Sequence, residues 1–177
     1  MIRNKAFTLI ELIIVIALIM ILATVSLGAY TLATTRSQDT QRKNDLTQIA
    51  KSLEAFVNDI GRYPLSDGAG QMLCYEKVGS VVTSPNPACT GNKLTSRIDN
   101  EVTSYITFPT EPIVGNVYYY ESDSTGSSFS LYTVLQNPKD RDLIFNEDGS
   151  IFEYTPSCGN GNCNYKITEV GLIKTNE

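Results

Sequence analysis

The chain has no histidine in 177 residues. That absence removes every His-based triad, every His general base and every His metal site. Basic residues are in the minority, with 14 Lys and Arg against 19 Asp and Glu, for a net charge of −5. This sign speaks against a broad nucleic-acid footprint, which needs clustered Lys and Arg. Proline is absent from Met1 to Arg62, so nothing in that stretch forces a helix to break. No nucleophile–base arrangement, phosphate loop or metal motif stands out. A tethered enzyme in 65–177 would have to work with carboxylates, Ser–Lys pairs or thiolates. The length suits one domain with a hydrophobic core and is short for two.

Cysteine is sparse but even in number: Cys74, Cys89, Cys158 and Cys163. An even set beyond an apolar N-terminal segment points to an oxidising compartment and two disulfides. Four cysteines allow three connectivities. The short loops of Cys74–Cys89 and Cys158–Cys163 close most easily, which favours that pairing. The competing reading is a four-thiolate zinc site, but Cys74 and Cys89 do not form the tight pair such sites use.

Charge is also missing from most of the N-terminal region. Met1 to Ala6 is short and basic, with Arg3 and Lys5. From Phe7 to Thr35 there is one charge, Glu11, and Leu12 to Ala23 is unbroken apolar. A spanning helix needs about 20 mostly apolar residues, so the segment qualifies. The basic start would stay cytoplasmic and the bulk of the chain would lie outside. A secretory signal peptide is one alternative, with a small-residue site at Thr31-Leu32-Ala33. An ordinary anchor is another. Against the anchor stands Glu11, because a carboxylate in lipid costs about 2.5 kcal/mol or more and implies a partner.

Lys5-Ala6-Phe7-Thr8-Leu9-Ile10-Glu11, followed by the apolar run, resembles the processing site of type IV prepilins and type II secretion pseudopilins. The resemblance implies a cut by prepilin peptidase between Ala6 and Phe7 and N-methylation of Phe7. It also implies that Glu11 pairs with the Phe7 amine of a neighbouring subunit. Ala6 stands where that family usually has Gly. Pairing two charges that are costly in lipid makes both tolerable.

Beyond the polar stretch Arg36 to Lys43 come Leu46, Ile49, Ala50, Leu53, Phe56, Val57 and Ile60. Their spacing traces one face of a helix. Gly61 is a natural C-cap and Pro64 blocks continuation. A helix from Phe7 to Ile60 would be about 80 Å long. A coiled-coil stalk competes, but the stripe lasts only about two heptads. Gly28 either lets the helix unwind locally in a filament, as in many pilins, or simply permits close helix packing. Arg42, Asp45-Leu46, Ile49, Leu53, Phe56 and Gly61-Arg62-Tyr63-Pro64 further resemble the major pseudopilin of type II secretion. Its later Asp-Pro-Trp-Gly element is unmatched, and Glu111-Pro112-Ile113-Val114-Gly115 stands near that place.

After Pro64 the composition turns to Gly, Ser, Thr, Asn and Pro. Residues 65–116 read mostly as loops, with possible short strands at Val78–Thr83 and Ser104–Phe108. Val117–Glu121 and Phe129–Gln136 read as a hairpin about Ser122–Gly126, and Leu143–Phe145 and Ser150–Tyr154 flank a second turn at Asp148-Gly149. Tyr165–Ile173 is a further candidate strand. In a strand, Tyr118 and Tyr120 face one way and Tyr119 the other. Asp140, Asp142, Asn146, Glu147, Asp148 and Glu153 form an oxygen-rich group that could take calcium but lacks EF-hand spacing; a solvated hairpin is the other reading.

These observations assemble into an α+β, ladle-like subunit: a long N-terminal helix, membrane span plus amphipathic half, packed on a small antiparallel sheet. Residues 1–6 are a cytoplasmic leader, 7–30 a transmembrane and filament-core helix, 31–62 its amphipathic half, and 63–177 an extracytoplasmic head. The expected function is a structural subunit of a type IV pilus or type II secretion pseudopilus, not an enzyme, with no required cofactor. Implied partners are copies of itself and other pilins, prepilin peptidase, an inner-membrane assembly platform and the bilayer. The chain would start as a single-pass inner-membrane protein and end in an extracytoplasmic filament. The alternative is a minor pilin used for adhesion or DNA uptake. Loss of Arg3 and Lys5 with the leader makes the mature chain still more acidic, which opposes DNA.

Overall fold

The computed structural model describes residues 7–78, 81–83, 89, 92–98 and 101–172, with side chains described outside 25–29, 76–78 and 81–83. The leader 1–6, including Ala6, and Ile173 lie outside the described residues, as does part of the strand expected at Val78–Thr83. One helix, α1 (Leu9–Ile60), follows the proline-free stretch. The chain divides into two compact units, Met1–Ser37 and Gln38–Glu177.

In the first unit the apolar side chains of α1 are open: Leu9 is 75% exposed and even Ile16 is 43%. Among the described residues no helix is long and apolar enough to cross a membrane. The side chains of 25–29, inside the span expected over 7–30, are not among those described. The backbone of α1 passes Gly28 without a break.

In the second unit the helical stripe is buried as its spacing demands. Leu46, Ile49, Leu53, Phe56 and Ile60 are at most 4% exposed, each contributing about 1.5–3 kcal/mol of hydrophobic transfer. Gly61 ends α1 at φ +89°, where its N–H donates to the Val57 carbonyl at 2.7 Å. This is the left-handed cap that glycine adopts most cheaply.

Two four-stranded sheets and a small ribbon complete this unit. The first sheet contains β1 (Tyr75–Val78), β2 (Val81–Thr83), β3 (Lys93–Ile98) and β4 (Glu101–Thr107), in the order β2-β1-β3-β4. The second contains β5 (Tyr119–Ser122), β6 (Phe129–Thr133), β9 (Tyr165–Thr168) and β10 (Gly171–Leu172), in the order β10-β9-β6-β5. β7 (Tyr154–Ser157) and β8 (Asn162–Cys163) pair as the ribbon. The structure is therefore α+β, a long N-terminal helix packed on antiparallel sheets.

The first sheet adds strand to a region read as mostly loop: β1, β2 and β4 overlap the short strands expected at Val78–Thr83 and Ser104–Phe108, and β3 is additional. It also departs from a purely antiparallel sheet, because β1 and β3 run parallel. The physical reason is weak amphipathicity. In β3 only Leu94 and Ser96 are buried, and in β4 the residues from Glu101 to Ser104 are all exposed. Neither strand shows the alternation of apolar and polar residues that a sequence reading depends on. The second correction is smaller. Leu143–Phe145 and Ser150–Tyr154 do flank the Asp148-Gly149 turn, but they share a single bridge, Phe145 to Ile151.

Leu131 and Tyr120 of the second sheet join the helical stripe in one core with Tyr75 and Leu94 of the first. Phe56 meets Tyr75 and Tyr105 edge-on, with ring centroids 5.9 and 5.2 Å apart. Tyr118 and Tyr120 both turn toward the helix side: the Tyr118 hydroxyl donates to Asp45 at 2.6 Å, and Tyr120 is 2% exposed.

Candidate functional site

Thr8 precedes the first helical residue and behaves as its N-cap. Its hydroxyl accepts from the Glu11 backbone N–H at 3.3 Å. In return Glu11 Oε2 accepts from the Thr8 backbone N–H at 2.9 Å and from the Thr8 hydroxyl at 2.7 Å. This reciprocal pair is a capping box, three residues apart, and it satisfies amides that α1 cannot satisfy itself. Phe7 and Leu12 occupy the two positions where a hydrophobic staple would form. Glu11 is thus held by its own chain at the start of the helix, where the helix dipole favours a carboxylate. The threonine-to-glutamate spacing is present in the sequence, but the sequence reading used Glu11 only as a partner for an amine.

Residues 1–27 match the family described as the prokaryotic N-terminal methylation motif. The chain carries the signature of type IV pilins and pseudopilins. No curated protein and no solved structure matches the chain. The pilin signature implies a membrane-anchored precursor, processing by prepilin peptidase and assembly with other pilins into a filament.

In the head of this pilin-like chain a second polar constellation braces α1. Asp39 and Arg42 are buried one turn apart, and Arg42 Nη1 donates to Asp39 at 2.6 Å. Arg42 Nε donates to Glu111, whose other oxygen accepts from the Ile113 N–H at 2.6 Å. Asp39 also accepts from the backbone N–H groups of Gln136 and Asn137, at 3.0 and 2.8 Å. Three segments far apart in sequence are therefore joined through the Asp39–Arg42 pair, Glu111 at the guanidinium and Gln136–Asn137 at the Asp39 carboxylate. Lone buried charges of this kind are tolerated only when paired and hydrogen-bonded. Arg42 belongs to the stretch that resembles the major pseudopilin, whereas Glu111 stands only near the place of its unmatched element, and nothing in the sequence joins the two. Their separation of 69 residues leaves no local signal.

The cysteines pair as Cys74–Cys89 and Cys158–Cys163, with Cα atoms 5.0 and 5.1 Å apart. No described cysteine is free.

Most of the oxygen-rich group at 140–153 is divided among protein partners. Asp140 and Asp142 accept from Lys43 Nζ at 2.5 and 2.8 Å. Burial works to lower the Lys43 pKa, but these two carboxylates outweigh it and leave the ammonium above its ordinary value. Asp148 accepts from the Ser150 backbone and hydroxyl, at 2.9 and 2.6 Å, which holds its carboxyl below the usual range. Glu153 accepts from Asn162 at 2.8 Å. Among the described residues no three acidic or cysteine side chains converge on a possible metal position.

Proposed function

We propose that this chain is a structural subunit of a type IV pilus or type II secretion pseudopilus. Prepilin peptidase cuts between Ala6 and Phe7, and Phe7 becomes N-methylated. Residues 7–30 hold the subunit in the inner membrane until an assembly platform extracts it. Subunits then pack helically through that segment, with Glu11 of one paired to the Phe7 amine of the next. Two costly charges in lipid become one neutral pair. The observation that carries this reading is the methylation motif over residues 1–27.

The work is structural and needs no active site or cofactor. Calcium is not required: Lys43 already bridges Asp140 and Asp142, so millimolar calcium is expected to leave the melting temperature of the chain unchanged. A rise in melting temperature with calcium would assign the 140–153 segment to an ion.

The deciding experiment is mass spectrometry of the N-terminal peptide from membranes. The expected product begins at N-methylated Phe7. A start at Thr34 would mean a secreted domain, and an intact Met1 an ordinary anchor. Either would remove the role given to Glu11.

A further inference from the structure

A row of aromatic rings runs across the second sheet and the β7–β8 ribbon, with Tyr132, only 5% exposed, packed among Tyr119, Tyr154 and the Cys158–Cys163 disulfide. Tyr119, Tyr132, Tyr154 and Phe152 follow one another edge to face, with centroids 6.2, 5.4 and 5.1 Å apart. They line an open groove of about 640 Å³, within the range of ligand sites. The groove also holds charge of both signs. Lys166 Nζ lies 5.6 Å from the Tyr132 ring centroid and 5.9 Å from that of Tyr154. Glu121 and Glu153 add two carboxylates to the same lining.

We propose that this groove binds a neutral carbohydrate, a short oligosaccharide. A pyranose ring has a face of C–H groups and a rim of hydroxyls. The negative faces of aromatic rings attract the first. Carboxylate acceptors and an ammonium donor satisfy the second, since every hydroxyl both donates and accepts. Other occupants fit worse. A hydrocarbon surface would have to strip water from Lys166, Glu121 and Glu153 without replacing their hydrogen bonds. A polyanion would meet two carboxylates against one ammonium.

The groove is also built before any ligand arrives. The Tyr132 hydroxyl donates to Glu121 at 3.1 Å, and the Tyr119 hydroxyl to the Gly68 carbonyl at 3.2 Å. The ribbon bearing Tyr154 is closed by Cys158–Cys163. Pre-formed side chains spare the ligand their ordering cost. The inference rests on the head alone and stands or falls independently of the filament reading.

The test uses the full chain in a sugar-free zwitterionic detergent. An array of neutral glycans selects a ligand, and calorimetric titration with maltotriose, cellotriose and chitotriose measures affinity. With no tryptophan in the chain, tyrosine emission gives a second readout. At least one neutral glycan is expected to bind saturably. Tyr154→Ala should weaken it about tenfold, and Lys166→Met should weaken it with the melting temperature unchanged. Lack of binding to any neutral glycan, binding to acidic glycans only, or affinity indifferent to both substitutions would overturn the proposal.

Discussion

Arg42 carries its charge at 0% side-chain exposure, between Asp39 and Glu111. Removing one member leaves the others charged in a place that water does not reach. Glu111→Ala is therefore expected to cost about 3–5 kcal/mol. Lys43, with its side chain 22% exposed, keeps part of its hydration, and Lys43→Met should cost about 1 kcal/mol. Urea denaturation of the two variants side by side checks the contrast; equal losses would mean that burial is not what sets the scale. At the start of the helix, Thr8→Ala removes both hydroxyl bonds to Glu11 and leaves only the backbone N–H bond, a loss worth about 1 kcal/mol. Filament yield should fall and should recover with Thr8→Ser, which keeps the hydroxyl. A variant that loses nothing would show that the cap has no part in assembly.

At the scale of elements, the ribbon of β7 and β8 depends on one glycine. Gly159 sits at φ +98°, and a Cβ there would lie 1.9 Å from the Gly115 carbonyl oxygen. Since that obstacle is backbone, it has little room to move. Gly159→Ala is expected to destabilise by about 2–3 kcal/mol, read as a lowered denaturation midpoint. The same scale separates what the sequence disclosed from what it hid. The stripe Leu46 to Ile60 and its Gly61 stop could be read directly, because helical spacing and a left-handed cap are both local signals. Of the sheet β2-β1-β3-β4 only fragments could, because the short strands expected at Val78–Thr83 and Ser104–Phe108 overlap β1, β2 and β4 but not β3. Its strands are short and polar, and β3 finds a parallel partner in β1 that only the folded chain brings near. The bracing of Glu111 by Arg42 was hidden for the same reason, whereas the Thr8–Glu11 cap lay within four residues and was open to a closer reading of the helix start.

Across the whole molecule, titration divides into a quiet range and an alkaline edge. There is no histidine, and every described cysteine is in a disulfide. Tyrosines of the core are pushed upward: Tyr105 to about 12, by burial and then by its bond to Asp59; Tyr118 further, by burial and then by Asp45. A raised folded value means stability that is whole below the unfolded tyrosine pKa of about 10 and is lost as pH rises through the folded values. Stability should thus be nearly level from about pH 6 to 9 and fall above about pH 10. Ultraviolet titration should show the surface tyrosines ionising first and the buried ones together with unfolding. A single smooth curve for all ten tyrosines would contradict this.

The Thr8–Glu11 cap has one more consequence, electrical in kind. The first turn of α1 holds the full negative charge of Glu11 against roughly half a positive charge from the helix dipole. Counted over residues 7–11 alone, with Arg3 and Lys5 left to the leader, the tip of the uncut helix is therefore net negative. A cut before Phe7 would add a full positive charge one residue from Thr8, and N-methylation would preserve it. The tip would then read roughly half a charge positive instead of half negative. One peptide-bond cleavage would thus exchange the side-chain charges of Arg3 and Lys5 in the leader for a main-chain amine fixed at the helix tip, where it attracts a neighbour's carboxylate.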